Sequence, residues 1–293
     1  MPMLTLSFGT MVTVSFGYEK NRLNVFDFGA IGNGLSDDSH GLQFYKCDKL
    51  ELNGFSSRNS PKNHIKIHNC KGVGMYNLHI TAPSYSPNTD GIVISLSTQV
   101  NIYHTTIGTG DDCIAIKNGS SYINITRVIC GSGHGISVGS LGIDGANDRV
   151  EEVHVRSCSF IGTKNGARIK TWKGAGLGYA KTISFEHITL TQSRNPIIID
   201  QNYCNPRKQC NSRESKLKVS DVTFRSFRGT STNEQAITLN CSNLGCTNIL
   251  MDNIQIFPAH PGKRLRSFCR NAHGKSHFTT PNVPCLSNNS ISG

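Results

Sequence analysis

What most constrains this chain is a repeat. Short apolar runs recur between turn residues: Leu42-Gln43-Phe44, His64-Ile65-Lys66-Ile67, Gly91-Ile92-Val93-Ile94, Cys113-Ile114-Ala115-Ile116 and Gly135-Ile136-Ser137-Val138. The series continues with Gly166-Ala167-Arg168-Ile169, Pro196-Ile197-Ile198-Ile199 and Ala236-Ile237-Thr238-Leu239. A second run follows most of them, as in Val100-Asn101-Ile102, Ile123-Asn124-Ile125, Val153-His154-Val155, Ile183-Ser184-Phe185 and Val222-Thr223-Phe224. These runs are rich in β-branched residues, alternate with period two and are too short for helices. The tightest intervals are about 22 residues, and segments such as Gly142 to Asp148 and Asn205 to Lys216 lengthen others.

A unit that short cannot bury an apolar face alone, so successive units must stack. The pattern predicts an all-β solenoid, a parallel β-helix. A β-sandwich would need two-residue N-G or D-G hairpin links, which are scarce, and a leucine-rich horseshoe would need L-x-x-L-x-L, which is absent. One domain is expected over residues 41–293, with a disulfide-bearing C-terminal cap after about Pro258. Residues 1–40 read as a separate, poorly packed N-terminal segment.

The 293 residues are 37% hydrophobic and only 17% charged, which excludes a charged disordered tail and a coiled coil. No apolar run is long enough for a transmembrane helix. The net charge of +11 suits a polyanionic partner without saying which one. Basic residues are scattered and no nucleic-acid motif is present, so nucleic acid is not expected. Eleven cysteines at short spacings read as disulfides of a secreted chain. Cys204 with Cys210, Cys241 with Cys246, and Cys269 with Cys285 are candidate local loops. The spacings of zinc sites are absent. Sequons at Asn118, Asn124, Asn240 and Asn288 agree with secretion, whereas Met1 to Gly17 lacks the basic start and cleavage site of a signal peptide.

Stacking gives the acidic residues their meaning. Equivalent positions on adjacent coils lie about 4.8 Å apart. Asn88-Thr89-Asp90-Gly91, Gly110-Asp111-Asp112-Cys113 and Gly133-His134-Gly135 each precede a first run. Asp90, Asp112 and His134 therefore form a column one coil per step, with Asp111 beside it. Arg168 and Lys170, two apart on the next first strand, point to the same side. Alone, D-D is a solvated turn, G-H-G a loop and R-I-K a charged strand face. Together, at coil spacing, they crowd three carboxylates, an imidazole and two cations into one patch. Crowding of like charges raises at least one carboxyl pKa. Glycoside hydrolysis needs such a set: one carboxylic acid protonates the leaving oxygen while a carboxylate activates water. A calcium site is the rival reading, and the cations and His134 argue against it.

At these residues the chain resembles the polygalacturonases of glycoside hydrolase family 28, plant members in particular, from about Gly41 to Cys285. The segments Asn88-Thr89-Asp90, Gly110-Asp111-Asp112, Gly133-His134-Gly135 and Arg168-Ile169-Lys170 carry the resemblance. It implies a right-handed parallel β-helix and inverting hydrolysis of α-1,4-linked galacturonic acid in pectin. By that analogy Asp111 is the general acid, Asp90 and Asp112 position and activate water, and His134 tunes the acid. Asn88, Arg168, Lys170 and Tyr203 would bind substrate. No metal or other cofactor is implied, and a monomer acting on cell-wall pectin, away from membranes, is expected. The resemblance also implies disulfides Cys113–Cys130, Cys241–Cys246 and Cys269–Cys285, and the remaining odd thiol, read as buried and free, falls among Cys47, Cys70 and Cys158.

The segment Asn24 to Asp38 looks like the start of a mature family member, yet Gly41 onward resembles a coil well inside the solenoid. Roughly a hundred family residues are expected to be missing between them. The first coil should then present an unpaired edge, prone to aggregation. A folded pectin-binding remnant without turnover is the alternative this raises. A calcium-dependent pectate lyase is a third reading, for which no convincing calcium cage stands in the sequence.

Overall fold

The structure, a computed structural model, describes residues 4–6, 41–204 and 214–286. It is a parallel β-solenoid. Among the described residues there is no α-helix, only two 3-10 turns at Ile143–Gly145 and Pro284–Leu286. None of these is long and apolar enough to cross a membrane.

Two sheets form the walls. The first has ten strands, running from Leu4–Leu6 through Leu42–Tyr45, Ile65–His68, Ile92–Ser95, Ile114–Ile116, Ile136–Leu141, Asn165–Trp172, Asn195–Tyr203 and Gln235–Asn240 to Arg266–Arg270. The second sheet has fourteen strands and covers the remaining faces. In early coils it is split into pairs such as Thr98–Tyr103 and Thr106–Gly108. In later coils single long strands, Gly178–Ser193, Leu217–Ser231 and Cys246–Pro258, run through both parts.

Register explains why the repeat folds this way. Ile92, Ile114, Ile136, Ala167, Ile197 and Ile237 pair in one line across six first-sheet strands. Each is fully buried. The second runs supply the opposite wall, where Val100, Ile123, Val153, Ile183 and Val222 stack with the same step. Branched side chains suit these flat ladders because their χ1 is already restricted and they fill the pleat. Burying each contributes about 1.5–3 kcal/mol, so the core is one continuous apolar column along the solenoid axis.

The odd thiol is identified here, and one expectation is corrected. Cys47 and Cys70 form a disulfide across 23 residues. That separation is one coil, so stacking itself brings the two sulfurs together. Cys158 alone of the three is free and buried, and burial pushes its thiol up to about 11. The disulfides Cys113–Cys130, Cys241–Cys246 and Cys269–Cys285 are formed. Cys210, and with it the Cys204–Cys210 expectation, lies outside the described residues. The correction concerns the first coil. Leu4–Leu6 pairs antiparallel with Leu42–Tyr45, so that strand of the first sheet does not present an open edge.

After Pro258 the solenoid continues. Arg266–Arg270 pairs with Gln235–Asn240, and Ala272–Thr280 pairs with Cys246–Pro258.

Candidate active site

The turns that precede the first-sheet strands are tied to one another by backbone hydrogen bonds. Asp111 N–H donates to Thr89 C=O at 3.2 Å, and His134 N–H to Asp111 C=O at 2.8 Å. Gly91 N–H donates to Asp112 C=O at 2.9 Å, and Cys113 N–H to Gly135 C=O at 2.8 Å. The column therefore rests on backbone rather than on flexible loops. The motif glycines permit it. A Cβ on Gly110 would sit 2.0 Å from Ser86 O, and one on Gly135, where φ is +71°, would sit 2.2 Å from Asn165 O. Neither position has room for a side chain.

Asp112 is the electrostatic centre and is 2% exposed. Arg168 Nη2 pairs with its Oδ1 and Lys170 Nζ donates to Oδ2 at 3.1 Å. Ser137 Oγ donates to Oδ1 at 2.8 Å while accepting from Arg168 Nε at 2.8 Å. Burial opposes ionisation of Asp112, but Arg168 and Lys170 outweigh it and hold the carboxyl well below the usual carboxylate range. Burial also lowers the pKa of Lys170, against the pull of Asp112. Both cations expected to meet substrate thus already have Asp112 as a partner.

Asp111 stands at the rim. Its Oδ1 lies 2.7 Å from His134 Nδ1, and the two side chains are 22% and 23% exposed. Burial raises the Asp111 pKa, yet the His134 hydrogen bond and charge, with Lys170, leave it below its ordinary value. Asp90 behaves oppositely. Its Oδ1 accepts from Asp112 N–H at 3.1 Å. Burial first, then the charges of Asp112 and Asp111, push its carboxyl up to about 7. The crowding inferred from the motifs therefore falls on Asp90.

Tyr203 closes the far side, with Lys170 Nζ 5.4 Å from its ring centre and Trp172 edge-on at 5.1 Å. Asn88 is not drawn in. It is exposed with φ at 55°, and among the described residues its side chain makes no hydrogen bond to the acids. Ser137 escaped sequence reading because a serine on a strand carries no signal of its own. Lys117, whose Nζ donates to Gly139 O at 2.9 Å and whose charge bears on Asp90 and Asp112, escaped likewise. Asp111, Asp112 and His134 could also present ligand atoms within 4.8 Å of one another to a cation. Arg168 and Lys170 neutralise Asp112, so that set is poorly suited to a divalent ion.

The Asp90 shift has a consequence for stability. A carboxyl whose folded pKa is raised binds its proton more tightly folded than unfolded, so its contribution falls as pH rises from about 4 to about 7. Asp90→Asn, which keeps the shape without the charge, should stabilise the fold at pH 8 by on the order of 2 kcal/mol and change it little at pH 4. Denaturant unfolding at the two pH values checks this. Equal effects at both would contradict a raised Asp90.

Comparison with known proteins bears on the family and the fold. The family model described as "Glycosyl hydrolases family 28" matches residues 29–279. A probable polygalacturonase of Arabidopsis thaliana is 45% identical over 84% of this chain and 55% of its own length. Polygalacturonase-2 of Solanum lycopersicum is 40% identical over 84% of this chain and 54% of its own. The chain spans about half the length of the curated relatives it matches. Among solved structures, the polygalacturonase from Erwinia carotovora superimposes with a TM-score of 0.61 at 27% identity, covering 80% of this chain and 59% of that one. Matched over most of its length and folded as the same kind of parallel β-solenoid, the chain belongs to glycosyl hydrolase family 28.

Proposed function

We propose that this chain hydrolyses α-1,4-galacturonosyl linkages in pectin, with inversion, as a secreted monomeric enzyme of the cell wall. The observation that carries the proposal is the meeting of Asp90, Asp111, Asp112 and His134 on three neighbouring coils, next to two cations on the same face. Polygalacturonase relatives at 40–45% identity support it. Attack within the polymer is favoured because the outer face of the first sheet continues on both sides of the cluster.

In this reading Asp111, at the rim and hydrogen-bonded to His134, protonates the glycosidic oxygen. Asp90 and Asp112, as carboxylates, orient and deprotonate the attacking water from the opposite side. Asp112 stays ionised throughout, since two cations face it. Arg168 and Lys170 keep donors for a uronate carboxylate beside Asp112. In the free cluster the proton rests on Asp90, and the three carboxyls titrate as a unit. An arriving uronate raises the carboxyls it approaches, and in this account moves the proton to Asp111. The high pKa of Asp90 favours a second assignment, with Asp90 as acid and Asp111 as base.

Release of reducing ends from polygalacturonate is the test. Activity should be highest at mildly acidic pH and fall as pH passes about 7, where the cluster loses its proton. Retention on polygalacturonate without release at any pH would instead identify a binding remnant. Unsaturated, ultraviolet-absorbing products would identify a lyase.

A further inference from the structure

Two rows of side chains stand on the outer face of the first sheet. Gln43, Lys66, Val93, Ala115, Ser137 and Arg168 form one row across paired strands. Tyr45, His68 and Ser95 begin the other, which resumes at Gly139 and Lys170. Val93, Ala115, Ser137 and Gly139 are small, and Lys117, between Ser95 and Gly139, has its Nζ held on Gly139 O at 2.9 Å, so the middle of the face carries no aromatic side chain. Bulky cationic and aromatic groups rise at both ends. Arg168, Lys170 and Tyr203 stand at one end, and Tyr45, Lys66 and His68 at the other.

This second group is held in a fixed arrangement. Lys66 Nζ donates to Tyr45 Oη at 3.2 Å and lies 5.5 Å from its ring centre. Tyr45 Oη donates to Gln43 Oε1 at 2.6 Å. The Tyr45 and His68 rings are 5.2 Å apart at 51°, and His68 Nδ1 is 2.9 Å from Ser95 Oγ. Among the described residues no carboxylate pairs with Lys66. The ammonium is therefore a preorganised cation facing the groove without an anion. Lys66 and His68 lie two strands, about 10 Å, and Tyr45 three strands, from the strand that follows Asp111 and Asp112.

We propose that Tyr45, Lys66 and His68 form a second uronate-binding subsite: Lys66 meets the carboxylate of a sugar remote from the scissile linkage, and the two rings pack against that sugar. The subsite rests on the galacturonan reading of the cluster and extends it. Lysine suits the task as a point charge that accepts carboxylates at varied angles, and the fixed neighbours reduce the entropy lost on binding.

The test compares kcat/KM on long and short oligogalacturonides. Only long ones reach both ends of the groove. Lys66→Gln should lower the long-to-short ratio by about tenfold, the scale of one lost charge-assisted hydrogen bond. Lys66→Arg should restore most of it. Lys275→Gln, an exposed charge on the second sheet, should leave the ratio unchanged. A Lys66→Gln ratio equal to that of the native chain, or one matched by Lys275→Gln, overturns the subsite. If the native chain binds polygalacturonate without cleaving it, the hydrolase reading fails but retention still decides the subsite: weakened by Lys66→Gln it stands, unchanged it falls. A native chain that neither binds nor cleaves overturns both.

Discussion

Asp111→Asn should lower turnover of polygalacturonate by about 10²–10⁴-fold, the range that a positioned general acid supplies, and leave the unfolding midpoint almost unchanged. Asp111 is at the rim and, among the described residues, His134 is its one side-chain partner, so an amide of the same shape disturbs little packing. The loss should depend on the leaving group. An aryl galacturonide, whose phenolate departs without a proton, should be cleaved by Asp111→Asn at close to the native rate. The same substrate should not rescue Asp90→Asn, because activation of water is still required. If rescue occurs in Asp90→Asn and not in Asp111→Asn, the roles are exchanged, as the raised pKa of Asp90 in the free cluster would then explain.

Asp112→Asn should behave differently. It removes the only anion that, among the described residues, Arg168 and Lys170 are paired with, and both cations are nearly buried. Breaking a buried pair from one side leaves uncompensated charge and costs about 3–5 kcal/mol. A large fall in the urea midpoint is expected together with loss of activity. The sign of the pH dependence follows from the depressed pKa of Asp112. Its contribution is fully present above the ordinary aspartate value and is lost only as pH falls well below it. At pH 7 the variant should therefore show the whole deficit, and in strong acid the gap to the native chain should narrow. A variant as stable as the native chain at pH 7 would mean that the pair contributes nothing net.

These two aspartates are adjacent in the chain, and their different fates show what sequence could reveal. The column was legible because one coil is a nearly constant number of residues, so Asp90, Asp112 and His134 announce their alignment by interval alone. The partnership of Arg168 and Lys170 with Asp112 was only half legible. Alternation placed them on the right face, but they lie 56 and 58 residues away from it, across the insertion at Gly142 to Asp148. That they would clamp Asp112 rather than stand free depends on side-chain reach. The order of the carboxyl pKa values was not legible, because burial raises both Asp90 and Asp111 and only Asp111 has the His134 hydrogen bond that brings it back down, which no motif encodes. Cys47–Cys70 is the opposite case. Its separation of 23 residues is one coil, so the rule that aligned the acids also aligns these sulfurs.

The central claim is that the coil register assembles an acid and a water-activating carboxylate around one galacturonosyl linkage. Proton NMR of the first products from an oligogalacturonide tests it most directly. Single-displacement hydrolysis predicts saturated products whose new reducing end appears first as the β-anomer and later equilibrates. A first-formed α-anomer, or an unsaturated product, would contradict it.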